Sequence, residues 1–70
     1  MTRLTEEEIQ RRRYLTKKLQ EGTITYEEAI ELNHILEKEK KIAEEERDTL
    51  ALIAILLLIG MLAAYFNSKK

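Results

Sequence analysis

The residues of this chain best suited to chemistry are a glutamate and the single histidine. Glu31 and His34 form a Glu-x-x-His step, which on a helix supplies iron ligands when facing helices add further glutamates. The preceding glutamates, at 6–8, lie roughly 10 Å away along the helix axes, and we expect Tyr14 and Leu15 at the level of Glu31. One histidine and no cysteine leave too few ligands for a histidine or thiolate metal site. We therefore expect His34 to be a surface or helix-contact residue, and we predict no metal site.

Other catalytic patterns are missing from the sequence. It contains no Gly-rich phosphate loop and no nucleophile–base pair, and its apolar segment has no ionisable group that would mark an ion path. The formal net charge is −1, with basic residues interleaved among acidic ones, so the basic surface typical of nucleic-acid binding is lacking. We predict a protein that is not an enzyme and has no cofactor, no small-molecule substrate and no nucleic-acid partner.

The elements that position these residues divide into a charged part, at 1–48, and an apolar part. No charged residue lies between Thr49 and Phe66. A helix from Leu50 to Phe66, about 17 residues, covers roughly 25 Å, the short end of what crosses a bilayer core. The alternative is a buried core helix, but the charged part is too small to enclose a cylinder that is apolar all round. We predict a transmembrane helix over 49–67 in a tail-anchored protein.

Basic residues around this span indicate its orientation. Within about 15 residues of the span they are more numerous on the amino side than on the carboxyl side. The two groups are Lys38, Lys40, Lys41 and Arg47 before the span, and Lys69 and Lys70 in a polar tail at 68–70. Because basic flanks stay in the cytoplasm, we expect a single-pass membrane protein with a cytoplasmic N-terminal region.

The charged part carries the start and stop signals of two helices. Thr5 with Glu8, and Thr25 with Glu28, have capping-box spacing, and Gly22 suits the left-handed position that ends a helix. We predict a helix over about 5–21, a turn over 22–25 and a second helix from 26. So short a connection folds two helices into a hairpin. We assign its interface to Leu15, Leu19, Ile24, Leu32 and Leu36, and its turn to Gly22 and Thr25.

The stretch from Tyr14 to Leu36 resembles a known family. Its sequence, YLTKKLQEGTITYEEAIELNHIL, looks like the short C-terminal domain called SHOCT, in which a leucine-bearing helix is followed by Gly, a hydrophobic residue, Thr and acidic residues that open a second helix. The matching positions are Leu15, Leu19, Gly22, Ile24, Thr25, Glu27, Glu28 and Leu36. The resemblance implies a hairpin that helps larger proteins oligomerise without catalysis. The family usually ends longer proteins, whereas here a predicted membrane helix follows.

Sequence signals that would stop the second helix before the apolar segment are absent. The chain has no proline, and opposite charges at i,i+4 spacing over 37–45 support a helix. We predict an all-α fold in which one helix of about 40 residues, roughly 60 Å long, runs through a solvated stalk into the membrane. A heptad spacing and a small-xxx-small step predict that the span packs on another helix. The residues concerned are Leu50, Leu57, Gly60 and Ala64.

Three functions fit this organisation. The first, which we favour, is a non-catalytic accessory or assembly subunit of a larger membrane protein complex. The second is a self-oligomerising membrane adaptor that uses the SHOCT-like hairpin. The third is a structural membrane protein of a virus. The expected partners are therefore the lipid bilayer and either other membrane-protein subunits or further copies of this chain.

Overall fold

The computed structural model describes residues 3–68, which form three α-helices packed side by side. Helix α1 spans Glu6–Glu21, α2 spans Tyr26–Glu46 and α3 spans Thr49–Ser68. The all-α class predicted from the sequence is therefore confirmed over the described residues. Short connections make successive helices antiparallel, and the longest dimension of the described chain is 36 Å.

Both helices of the hairpin begin at capping boxes. The Thr5 hydroxyl accepts the Glu8 N–H at 3.1 Å, and the Glu8 carboxylate accepts the Thr5 N–H at 2.9 Å. Thr25 and Glu28 repeat this exchange at 3.2 and 3.0 Å. Gly22 ends α1 with φ of 75°, and its N–H donates to the last turn of the helix. Because these caps satisfy backbone groups that helix ends leave unpaired, the hairpin turn is fixed by local residues.

The turn glycine gives a first testable prediction. We expect Gly22→Val to destabilise the fold by about 1–2 kcal/mol, because a side chain with a Cβ is unfavourable in the left-handed conformation. Apart from the two chain neighbours of Gly22, no atom lies within 4 Å of the place where a Cβ would sit, so the cost is conformational and not a clash with the rest of the bundle. Thermal unfolding followed by circular dichroism measures it. Gly22→Asn is the matched control, since Asn tolerates this conformation; equal melting temperatures for the two variants would contradict the assigned helix end.

The second helix does not continue into the apolar segment, so the prediction of one continuous helix of about 40 residues is wrong. Helix α2 ends at Glu46, and Arg47 adopts φ of 56°. The backbone N–H groups of Arg47 and Asp48 donate to carbonyls of the last turn of α2. The Asp48 carboxylate then accepts the Ala51 N–H at 3.1 Å and caps the start of α3. The chain turns back here because an Asp can begin a new helix and because the returning helix buries one of its faces.

The core lies where the three helices meet. Four leucines have no exposed surface, namely Leu15, Leu32, Leu36 and Leu62. The same cluster also includes Leu19, Ile24, Ala29, Ala43 and Ile55. Since Ile55 and Leu62 belong to α3 and the rest to the hairpin, packing of α3 completes the core. The charged end of α2, predicted as a solvated stalk, is part of this bundle, and its Ala43 is 5% exposed.

Candidate membrane-anchoring site

Helix α3 has one packed face and one exposed face. Ile55 and Leu62 are buried against the hairpin, and the residues partly buried around them are Ala51, Leu52, Leu58, Ile59, Tyr65 and Phe66. On the opposite face Leu50 is 82% exposed and Leu57 is 67% exposed. Ile53, Leu56 and Met61 are exposed beside them. The bundle therefore leaves a line of large apolar side chains in contact with solvent.

The length and composition of α3 suffice to cross a membrane. The helix has 20 residues, and an 18-residue window within it has a mean hydropathy of 2.5. Only 11% of that window is buried inside the bundle, whereas the core helix of a water-soluble protein is buried over most of its surface. It is the one helix among residues 3–68 that meets these criteria, and it coincides with the span predicted at 49–67.

The residues predicted to pack in the membrane lie on the exposed face of α3. Leu50, Leu57, Gly60 and Ala64 are all exposed. Apart from the chain neighbours of Gly60 and the adjoining helix backbone, no atom lies within 4 Å of the place where a Cβ of Gly60 would sit. The hairpin therefore leaves this surface uncovered. A helix approaching from outside could reach the backbone at Gly60 without displacing any part of the bundle.

The residues predicted for the hairpin interface are buried and form the apolar surface on which α3 packs. They are between 0% and 9% exposed: Leu15, Leu19, Ile24, Leu32 and Leu36. The same cluster contains Ile55 and Leu62 of α3. The two helices of the hairpin thus share their apolar stripe with a third helix, which sequence reasoning had placed in the membrane.

Comparisons with known proteins were made for the whole chain. It matches no family model, no curated protein and no solved structure. Function must therefore be inferred from two surfaces, the apolar face of α3 and the charged hairpin.

Ion pairs connect the two helices of the hairpin. Arg11 donates to both carboxylate oxygens of Glu31, through Nε at 2.7 Å and Nη2 at 2.8 Å. Further pairs have N–O distances of 2.7 to 3.0 Å, and they are Arg12–Glu39, Lys18–Glu28, Lys38–Glu8 and Arg3–Glu46. Sequence reasoning considered charge pairs only within α2 and missed these, because their pairing depends on how far one helix is shifted along the other. Arg11 lies opposite Glu31, one turn before the expected Tyr14.

The Glu31–His34 step is part of this charged surface. No group of three or more candidate ligands that could hold a metal ion occurs among residues 3–68. The Glu31 carboxylate binds Arg11, and His34 is exposed. Glu31 therefore helps to join the two helices of the hairpin, and His34 lies near it on the surface.

Hydrogen bonds from the hairpin lower the pKa of several glutamates. The pKa values of Glu8, Glu28 and Glu31 lie below the ordinary value of 4.5. The largest cause is the backbone N–H of Thr5 for Glu8, Lys18 for Glu28 and Arg11 for Glu31. Each partner favours the charged carboxylate, so each carboxylate binds protons less readily in the folded chain than in the unfolded chain.

Glu39 differs from these glutamates in the direction of its pKa shift. Burial raises the pKa of the Glu39 carboxyl above its ordinary value, and the neighbouring Arg12 offsets only part of this effect. The Arg12 Nε lies 2.7 Å from a Glu39 oxygen, but neither atom makes a hydrogen bond. The pair is thus a close electrostatic contact without good hydrogen-bond alignment.

These shifts predict how stability depends on pH. We expect the free energy of unfolding to decrease as the pH falls below about 4.5, because the lowered pKa values of Glu8, Glu28 and Glu31 stabilise the fold only while these groups are ionised. Glu39 has the opposite effect. Because its pKa is raised in the folded chain, its contribution to the free energy of unfolding is lost as the pH rises through that pKa. Melting temperatures between about pH 3 and pH 7 measure the sum.

The control for this titration is a matched pair of substitutions. Glu31→Gln should flatten the loss of stability on the acid side, because it removes one of the carboxylates with a lowered pKa. Glu37→Gln makes the same chemical change at an exposed position of α2 and should leave the slope nearly unchanged. Identical slopes for the two variants would contradict a stabilising role of the Arg11–Glu31 pair.

Proposed function

We propose that this chain is a membrane-anchored, non-catalytic accessory or assembly subunit of a larger membrane protein complex. Helix α3 is its span, and the hairpin lies on the cytoplasmic side. One observation carries the proposal: an uncharged helix of 20 residues has an 18-residue window of mean hydropathy 2.5 that is 11% buried. Hydrocarbon is the solvent in which such a helix is most stable, because a helix satisfies its own backbone polar groups.

The exposed face of α3 supports membrane insertion energetically. Removing a Leu, Ile or Met side chain from water contributes about 1.5 to 3 kcal/mol when burial is complete. Exposed residues of this kind on α3 are Leu50, Ile53, Leu56, Leu57 and Met61. In the bundle these side chains remain in contact with water, whereas insertion into a bilayer removes them from water.

The hairpin supports a role in assembly. Its helices are joined by ion pairs, and each begins at a capping box. The hairpin therefore offers a compact charged surface in water. The orientation with this surface in the cytoplasm rests on the excess of Lys and Arg before α3. Lys69 and Lys70, the basic residues after the span, lie outside the described residues. A charged helical unit next to a span suits docking against the soluble face of other subunits.

The proposal is tested by fractionating cells that express the full chain. We expect the chain to stay in the membrane pellet after alkaline carbonate extraction, and to purify in mild detergent with other membrane proteins in one complex of defined mass. Recovery in the soluble fraction as a stable monomer would overturn the membrane anchor. Recovery as a pure homo-oligomer would overturn the accessory role and support the second candidate.

The second candidate is a self-oligomerising adaptor, and the uncovered face around Gly60 favours it. In that case Gly60→Leu should weaken the homo-oligomer in detergent, because a large side chain separates the helix backbones. The fold itself should tolerate the change, since the space around Gly60 is open. Ala54→Leu adds a similar bulk elsewhere on the exposed surface of α3 and serves as the control. An unaltered oligomer in the Gly60→Leu variant would show that this face contacts lipid.

A further inference from the structure

Helix α3 has two environments that exclude each other. In the structure Ile55 and Leu62 pack on the hairpin, whereas a helix that spans a bilayer must leave that position. We propose that the α1–α2 hairpin is an intramolecular cap, which covers one face of α3 in water and releases the helix when it enters a membrane. This inference rests on the proposed function, because it requires α3 to be a span.

The contacts that hold α3 on the cap are of a kind that hydrocarbon can replace. Helix α3 contains no charged residue, and its packed face is apolar from Ala51 to Phe66. Two contacts pin its far end to the hairpin turn. The Tyr65 hydroxyl donates to the Ile24 carbonyl at 3.1 Å, and the rings of Tyr26 and Phe66 meet edge to face at 5.5 Å. A bilayer offers apolar contact for the same face and an interface for the Tyr65 hydroxyl.

The ion pairs and capping boxes of the cap do not involve α3. The ion pairs described above connect α2 with α1 or with Arg3 just before it, and both capping boxes lie within the hairpin. Departure of α3 therefore leaves the polar framework of the hairpin in place. The departure of α3 also exposes the apolar surface around Leu15, Leu32 and Leu36. An emptied cap would thus present a helix-binding surface that the closed form hides.

The hinge for this opening is the connection between α2 and α3. Arg47 adopts φ of 56°, a conformation that is unfavourable for a residue with a side chain. Asp48 stabilises the closed form by capping α3. When α3 leaves the hairpin, Arg47 is no longer held in this conformation and can adopt an ordinary backbone conformation with negative φ. The cost of the left-handed Arg47 is thereby relieved on opening.

The cap covers α3 on one side only, so the other side of the helix can contact a bilayer while the cap is still in place. Leu50 and Leu57 are exposed while Leu62 is buried. The exposed face can therefore enter the membrane surface before the cap opens. Contact with lipid then competes directly with the hairpin for the remaining face. The closed form is in this way suited to opening at a membrane and not in free solution.

The test is a crosslink that locks α3 onto the cap in the full chain. The sequence has no cysteine, so the double variant Tyr26→Cys/Phe66→Cys carries a single pair of thiols at the contact between the hairpin turn and α3. A short bis-methanethiosulfonate reagent joins the pair, and a reducing agent separates it again. Phosphatidylcholine vesicles are added to the locked and to the reduced protein. Flotation followed by carbonate extraction measures the inserted fraction.

We expect reduction to raise the carbonate-resistant, vesicle-bound fraction at least tenfold. Equal insertion of locked and reduced protein would overturn the cap and leave the proposed membrane anchor standing. No insertion of either form, and none of the unmodified chain, would overturn both. Each single-cysteine variant, treated with the same reagent, loses the ring contact but cannot be locked, and should insert at least as readily as the unmodified chain, which controls for modification of the thiols.

Two hinge variants test the same inference without a crosslink. Arg47→Gly relieves the left-handed conformation of the closed form and should slow insertion, whereas Asp48→Ala removes the cap residue of α3 and should speed it. Insertion rates that differ in this order support the hinge. Rates that are equal, or in the reverse order, would overturn the opening at Arg47–Asp48.

Discussion

Leu57→Arg is expected to weaken membrane insertion of α3 about 100-fold while leaving the fold in water intact. Leu57 is 67% exposed, so an arginine there can project into solvent without disturbing the bundle. In a bilayer the same residue lies near the middle of the span, where a charged side chain costs about 2.5 to 3.5 kcal/mol. That cost corresponds to a decrease of roughly 100-fold in the equilibrium constant for insertion, at about 1.4 kcal/mol for each factor of ten.

Leu50→Arg is the matched control for this substitution. Leu50 is even more exposed, at 82%, but it lies in the first turn of α3, where an arginine can reach the membrane interface. We expect the Leu50 variant to remain resistant to carbonate extraction and a larger share of the Leu57 variant to be released. Circular dichroism of both proteins should match that of the unmodified chain. Equal retention of the two variants in the membrane would contradict a span with Leu57 near its middle.

The second large effect concerns the opposite face of the same helix. Leu62→Ala is expected to lower the free energy of unfolding in water by about 2 to 5 kcal/mol, because it leaves a cavity where a leucine is fully buried. Leu62 has no exposed surface and belongs to the core cluster. A domain of this size rarely has more than about 3–5 kcal/mol from a single core, so the variant should lose most of its stability.

Leu57→Ala provides the comparison for Leu62→Ala, since it is the same chemical change on the other side of α3. We expect it to alter the free energy of unfolding by about 0.5 kcal/mol or less, as is usual for exposed positions. Denaturant titration of the full chain in buffer measures both values. Equal effects at the two positions would contradict the packing of α3 on the hairpin. The cap further requires that Leu62→Ala insert into vesicles more readily than the unmodified chain.

The parts of the fold that depend on neighbouring residues could be predicted from the sequence. The capping boxes at Thr5 and Thr25 and the left-handed Gly22 each involve residues within a few positions of one another. Their geometry is therefore set before any tertiary contact forms. The all-α class and a span-length apolar helix follow in the same way from local composition and hydrophobic pattern.

The break between α2 and α3 could not be predicted by the same means. Sequence reasoning took proline and glycine as the residues that stop a helix, and neither occurs at the Arg47–Asp48 connection. The helix ends there because folding back buries Ile55 and Leu62, a tertiary gain that offsets a left-handed arginine.

The ion pairs of the hairpin were missed for a related reason. Opposite charges are abundant on both helices, and only the relative shift of the helices decides which ones meet.

The contact between Tyr65 and Ile24 has a consequence for the order of events during translation. The two residues are 41 positions apart, whereas the ion pairs that join Glu8 to Lys38 and Arg11 to Glu31 are 30 and 20 positions apart. Residues made earlier can fold first as a chain leaves the ribosome. The hairpin can therefore be complete before Tyr65 emerges. The nascent apolar helix then meets a finished protein surface at once, which shortens the time in which it could aggregate before delivery to a membrane.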